Sequence, residues 1–316
     1  MIKTIKIFLI LIIFLSIGIM SSCSSRELVN TDIAQNAYNV GKYMTAITYS
    51  NEALKKDPDN YTATLIRGKA NLKLGNYKES IGDFNKLLDN RKNFELYYLR
   101  GRTFLEMDNL ENAESDYETA ISLNPKSVEA LFDLAYIRTL IGDYDLAISA
   151  YQQVIKIDSL NFRAYVNLGN LKGRMGEGEM AIEYFSKAIS INPNDGIAYF
   201  NRATEKLILN DKTGAIYDLL SSISLDTSNI NTHSLIAETY LQLKDYDNAI
   251  KHLDEIIDLD NQNARAYFLK GSAELALNKN DLACTDLRTA GELGYFDAYE
   301  LIKKNCNKKE KKKSKR

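Results

Sequence analysis

Small residues recur along this chain at a nearly fixed interval, and no other feature limits its fold as tightly. Gly68, Gly101, Ala135, Gly169, Ala203, Ala237 and Gly271 stand 33, 34, 34, 34, 34 and 34 residues apart. A second column, Ala46, Ser80, Ala113, Ala147, Ala181, Ala215, Ala249 and Ala283, keeps the same period in a fixed phase. All three prolines, Pro58, Pro125 and Pro193, fall in one further column near the end of a unit. A period of this length marks a repeat array, in which each unit buries its apolar face only by stacking on its neighbours. The 316 residues therefore predict one elongated stack, where length alone would suggest two domains.

Within a unit, two apolar stripes at helical spacing flank a short turn, so each unit reads as a helical hairpin. The turns are Gly41-Lys42-Tyr43, Gly75-Asn76-Tyr77, Asp108-Asn109-Leu110, Gly142-Asp143-Tyr144 and Lys244-Asp245-Tyr246. Pro or Asp near the next boundary stops the second helix. Gly or Ala in the two columns lets the paired helices approach closely, and Phe84, Tyr117, Tyr151 and Phe185 fill the space between neighbouring units.

The fifth unit, 162–195, carries Tyr165, Leu168 and Gly169, then Ala181, Phe185 and Ala188, and closes on Pro193. This resembles the tetratricopeptide repeat, whose 34-residue pattern runs aromatic, two residues, Leu-Gly, then Ala, three residues, aromatic, and a closing Pro. Units of this kind read as 27–60, 61–93, 94–127, 128–161, 162–195, 196–229, 230–263 and 264–297. The resemblance implies an all-α, right-handed superhelical solenoid of about eight hairpins. Departures are a residue missing before Gly41, a second unit one residue short, and Leu219, Leu253 and Leu287 where the aromatic belongs. Residues 31–297 form the solenoid on this reading. The segment 298–306, with Tyr299, Leu301 and Ile302 among charged residues, reads as a capping helix over the last apolar face.

Lys3 and Lys6 precede a fourteen-residue apolar run from Ile7 to Met20, shorter than the roughly 20 residues that span a bilayer. Residues 1–22 read as a signal peptide. Met20-Ser21-Ser22-Cys23 resembles a bacterial lipobox, which implies lipid on Cys23; a plain secretory signal or an uncleaved anchor is the alternative. Two or more acyl chains would anchor the protein stably at about 0.8 kcal/mol per methylene. Within the tether, 23–30, only Ser24 to Asn30 separate Cys23 from the first repeat, a reach of at most about 25 Å, so the solenoid is expected close to its membrane. Ser24 is not the aspartate of inner-membrane retention, which by resemblance favours the outer membrane, facing the periplasm.

Two further cysteines, Cys284 and Cys306, belong to a chain bound for an oxidising compartment. If the second helix of unit eight and the capping helix run antiparallel, both lie about ten to twelve residues from the turn at 291–296 and meet at one end, where a disulfide is expected to join them. The alternative is two reduced thiols, with Cys284 a small core residue.

No catalytic constellation, metal site or cofactor motif is legible. His233 and His252 fall on different helices of unit seven without a metal-ligand spacing, and read as ordinary helix-surface residues. Gly173, Gly176 and Gly178 occupy a turn with no strand before it, and Asp254, Glu255, Asp258 and Asp260 lack the glycine and closing glutamate of a calcium loop. The formal net charge of −2 gives no general reason to expect nucleic acid. The tail 307–316 has seven Lys or Arg and no apolar residue, so it is expected to stay disordered, either simply solvated or touching anionic lipid.

By resemblance, the first helices line a concave face that takes an extended peptide or a partner protein. Projection inward gives Tyr98, Arg102, Phe132, Asp133, Tyr136, Asn167, Asn170, Arg174, Phe200 and Asn201, an aromatic and amide-rich stripe of which some members are inter-repeat packing. The carboxylate clamp of chaperone-binding relatives is incomplete, since Lys69, Arg102, Asn170 and Asn201 occur out of combination. The expected function is that of a non-enzymatic, membrane-tethered interaction scaffold. Alternatives are an accessory subunit presenting substrate to an envelope enzyme, and a lipid or polyanion binder working through the tail.

Overall fold

The computed structural model describes residues 29–306; the expected signal peptide, Cys23 and the basic tail lie outside the described residues. Seventeen helices and no strands make up the described residues. They are α1 (29–39), α2 (Tyr43–Lys56), α3 (Tyr61–Lys73), α4 (Tyr77–Asn90), α5 (Phe94–Glu106), α6 (Leu110–Leu123), α7 (Val128–Ile141) and α8 (Tyr144–Ile157). There follow α9 (Phe162–Arg174), α10 (Gly178–Ile191), α11 (Gly196–Ile208), α12 (Lys212–Leu225), α13 (Ile230–Gln242), α14 (Tyr246–Leu259), α15 (Ala264–Ala276), α16 (Asn280–Glu292) and α17 (Ala298–Asn305). Helix α1 is already formed at residue 29, so the last two residues of the expected tether belong to the first hairpin. The missing residue before Gly41 costs that hairpin nothing visible, because Lys42 N still bonds back to Ala37 O at 2.8 Å.

Local chemistry explains the regularity. Each first helix from α3 onward starts behind a capping side chain: Asn60, Asn93, Ser127, Asn161, Asp195, Asn229 and Asn263. Every one accepts a hydrogen bond from the backbone N–H three residues on, a cap worth about 0.5–2 kcal/mol. Each hairpin turns through one residue in the left-handed region, namely Gly41, Gly75, Asp108, Gly142, Gly176, Asn210, Lys244 and Asn278. Glycine takes that conformation freely, whereas Lys244, at φ 61°, holds it at a steric cost that the rest of the hairpin offsets.

The small columns are where the helices touch. At Gly169, a Cβ would lie 2.6 Å from Cε1 of Phe185, whose ring is 1% exposed. Phe84, Tyr117 and Tyr151 are fully buried in the same register. Units six, seven and eight have Leu219, Leu253 and Leu287 there, buried as deeply, so the departure from the aromatic pattern changes the filling and not the architecture.

The chain forms two compact units, one through Asp158 and one from Ser159. The first holds hairpins one to four, with clusters such as Phe84, Leu87, Leu88 and Leu96 joining a second helix to the next first helix. The second holds hairpins five to eight, stacked in the same way, as in Ala237, Leu253, Ile256 and Ala266. It ends on α17, whose Ala298, Leu301 and Ile302 pack on Leu287 and Ala290. A disulfide joins Cys284 in α16 to Cys306 at the end of α17, with the Cα atoms 5.7 Å apart.

Candidate functional site

In the first unit, side chains reach from α3 to α5 and from α5 to α7. Lys69 on α3 pairs with Glu95 on α5 at 2.5 Å, and the Tyr98 hydroxyl on α5 donates to Asp133 on α7 at 3.1 Å. Burial, and then the Asp133 carboxylate, push the Tyr98 phenol far up, which keeps it a donor. Its ring also stacks on Phe94 and tilts against Tyr117, each at 5.7 Å between centroids. Phe132 meets Tyr151 edge-on at 5.3 Å. Tyr98, Phe132 and Asp133 therefore belong to the packing between hairpins, while Arg102 and Tyr136, 44% exposed, present their side chains to solvent.

The second unit repeats the arrangement in amides. Asn201 on α11 donates to Asn170 on α9 at 2.9 Å, with Asn167 half-buried beside them and Arg174 exposed at the end of α9. Phe200 packs against the cluster of Ala203, Ala215, Leu219 and Ile236. Its other side borders a cleft of about 480 Å³ between the starts of α11 and α13.

Sequence reasoning missed a recurring ion pair. Arg67, Arg100 and Arg202 stand just before the small column, and each forks onto an aspartate sixteen residues on, Asp83, Asp116 and Asp218. Each arginine also donates to the preceding hairpin, on Asn51, Asn85 and Ser186. In hairpin eight, Lys270 takes the arginine's place, 3.3 Å from Asp286 and 2.8 Å from Asp254. The remaining hairpins have Ile33 with Tyr49, Leu134 with Ala150, Leu168 with Tyr184, and Ile236 with His252. Charge thus appears on both sides or on neither, and that covariation within the chain was the available signal.

The histidines are not surface residues. His233 is buried, its Nδ1 3.0 Å from Nδ1 of His252 and its Nε2 3.1 Å from the Thr227 carbonyl. A carbonyl only accepts, so neutral His233 carries its proton on Nε2 and His252 donates through Nδ1. Burial, then His233, then Lys251 hold His252 down at about 4. Glu274 on α15, 3% exposed, lies one turn beyond Lys270, and burial followed by Asp286 raises it to about 7. Among the described residues, no group of three or more His, Cys, Asp or Glu is arranged to hold a metal, and no helix is long and apolar enough to cross a membrane.

The tetratricopeptide repeat family model matches residues 31–93, 98–162 and 235–290, and a second model of the same repeat matches 162–195. The chain is 30% identical over 120 residues to a TPR repeat-containing protein of Methanocaldococcus jannaschii, covering 38% of this chain and 21% of that protein. It is 28% identical over 89 residues to the DnaJ homolog subfamily C member 3 of Gallus gallus, covering 28% of this chain and 18% of that one. It therefore spans about a fifth of the length of each. Among solved structures, the C-terminal part of a TPR repeat-containing protein from Cytophaga hutchinsonii is similar at a TM-score of 0.66 and 18% identity, over 75% of this chain and 97% of that one. A tetratricopeptide repeat protein from Parabacteroides merdae is similar at 0.54 and 20%, over 89% and 99%.

Proposed function

Because the chain belongs to the tetratricopeptide repeat family, a family of protein-interaction scaffolds, we propose that it is a non-enzymatic scaffold that recruits a protein or extended peptide in a bacterial envelope, tethered through lipid on Cys23. The observation that carries this reading is the face that successive first helices build within each compact unit. In the first unit Tyr98 is tied to Asp133, with Arg102 and Tyr136 exposed on the same helices; in the second Asn170 is tied to Asn201, with Arg174 exposed at the end of α9. A fixed polar framework with exposed Arg and Tyr is the composition of a protein-binding surface. The tether is supported by the Lys-flanked apolar run ending in Met20-Ser21-Ser22-Cys23, and Ser24 favours the outer membrane, facing the periplasm.

The test is crosslinking and pull-down from intact cells, comparing the native protein with an Arg102→Ala, Tyr136→Ala, Arg174→Ala variant that circular dichroism shows to remain helical. These three are chosen because Tyr98, Phe132 and Phe200 also hold the hairpins together. A partner lost only in the variant supports the reading, and an unchanged set of partners sinks this face as the site. For the tether, Cys23→Ala should move the protein from the membrane to the soluble fraction and abolish incorporation of labelled palmitate.

A further inference from the structure

We propose that hairpin six holds a pocket for one large apolar side chain of a partner polypeptide segment that carries a basic residue beside it. This deepens the scaffold reading and rests on it. The starting observation is an internal comparison. From α3 to α15 the first helices begin with Tyr61, Phe94, Val128, Phe162, Gly196, Ile230 and Ala264. Where large, those side chains fill space between hairpins: Tyr61 packs on the cluster around Phe84, Phe162 on that around Phe185, and Ile230 on that around Leu253. Hairpin six alone has no side chain there.

What the glycine leaves is the cleft of about 480 Å³, a size within the roughly 300–1,000 Å³ of small-ligand sites. Ser222 lies beneath it, where other hairpins have Ala188 or Ile256, and donates its hydroxyl to the Gly196 carbonyl at 2.8 Å. The walls are apolar: Phe200, Leu225, 43% exposed, and Ile197, 67% exposed. An aliphatic or aromatic side chain entering here would cover surface that Tyr61, Phe162 and Ile230 cover in hairpins two, five and seven, and removing that apolar surface from water favours binding.

The rim specifies the rest of the ligand. Asn194, Asn229 and Asn231 offer both donors and acceptors, as a peptide backbone requires. The charged lining residues are Asp195 and Asp226, and no Lys or Arg stands among them. Hydrogen bonds from the Ser228 hydroxyl and N–H hold Asp226 below the usual carboxylate range, so it stays anionic. A basic neighbour complements that charge, and an acidic one is repelled.

Refilling the cleft is sterically open. A Cβ on Gly196 would lie 3.5 Å from the Ser222 carbonyl oxygen and 3.6 Å from Leu225 Cβ, both ordinary contacts. Gly196→Phe restores the residue of hairpins three and five, and Gly196→Val, with the residue of hairpin four, serves if the ring is too large. The experiment is saturation-transfer difference NMR on the purified full chain with acetyl-Phe-Arg-amide, acetyl-Phe-Glu-amide and acetyl-Gly-Arg-amide. The proposal requires saturable transfer to the Phe ring, about threefold tighter for the Arg probe than for the Glu probe, and weakened about tenfold in the filled variant. Equal binding by wild type and filled variant, or no saturable binding of any probe, overturns the pocket; equal affinity for the Arg and Glu probes overturns the basic neighbour. The titration needs no cellular partner, so its failure is distinct from failure of the pull-down.

Discussion

The Arg100–Asp116 pair offers a sharp test of how this array is held together. Arg100 forks onto Asp116 through Nε at 2.8 Å and Nη2 at 2.7 Å, and the Asp116 side chain is only 6% exposed. Its own bond to Asp116 is the main cause that raises the guanidinium above its ordinary value. Asp116→Ala leaves that guanidinium with Asn85 and two aromatic rings, and Arg100→Leu leaves a buried carboxylate without its cation. Breaking a fully buried pair costs about 3–5 kcal/mol, and because the Arg100 side chain is 23% exposed we expect about 2 kcal/mol for each single change. The double variant recreates the Leu134 and Ala150 of hairpin four, both nearly fully buried, so it should lie within about 1 kcal/mol of the native protein. The implied coupling is about 3 kcal/mol. Thermal denaturation by circular dichroism should show each single variant melting about 4–8 °C lower and the double variant recovering most of that loss. Hydrogen exchange in α5 and α6 should localise the effect, since repeat arrays need not unfold in one step. A double variant as damaged as the sum of the singles would refute the argument that charge is tolerated there only as a pair.

Other outcomes follow from the same packing. Gly169→Ala forces the Phe185 ring aside and should lose about 1 kcal/mol net, overpacking outweighing the helix propensity gained, whereas Gly82→Ala on the exposed face of α4 meets nothing within 4 Å and should gain about 0.5–1 kcal/mol in urea unfolding. His252 is held below its unfolded value of 6.5, so the stability it supports is complete above pH 6.5 and is lost as pH falls toward 4. His252→Gln should flatten the pH dependence of amide protection in α13 and α14 over that range. Glu274 has the opposite sign: it is raised from 4.5 to about 7, so its contribution is present below pH 4.5 and is lost as pH rises through 7. Glu274→Gln should make α15 better protected than in the native chain at pH 8. Reducing the Cys284–Cys306 bridge, which spans 22 residues, should lower the stability of α17 by about 3 kcal/mol in the chain-entropy account, read as lost protection confined to α16 and α17.

Much of this was legible because the signals are local. The apolar stripes and the short turns act within a few positions of themselves, and together with the repeat period they located the hairpins closely, while the Asn and Asp caps, local as well, were not read. The surface was legible only in part. Tyr98 and Tyr136 read alike in sequence, as aromatics on a first helix, yet one is drawn under by Tyr117 and Asp133 and the other is left outside. The histidine pair escaped because its members are 19 residues apart, a separation that means nothing along one helix. It becomes contact only when the hairpin lays α13 against α14. Gly196 escaped for a different reason, since a glycine at a helix start reads as a turn residue until the sister helices show what is missing.

The arginine pairs also bear on how such a chain can change length. Both members of each Arg–Asp fork lie within one 34-residue period, so duplicating or deleting a whole period copies or removes the pair intact. The third bond of each arginine, to Asn51, Asn85 or Ser186, crosses into the preceding period. A newly inserted copy would arrive with its internal charges already balanced, and only this neutral outer bond would have to find a new acceptor. Tandem growth is therefore electrostatically safe from its first generation, and mutation can later trade the charged pair for an apolar one without touching the rest of the array.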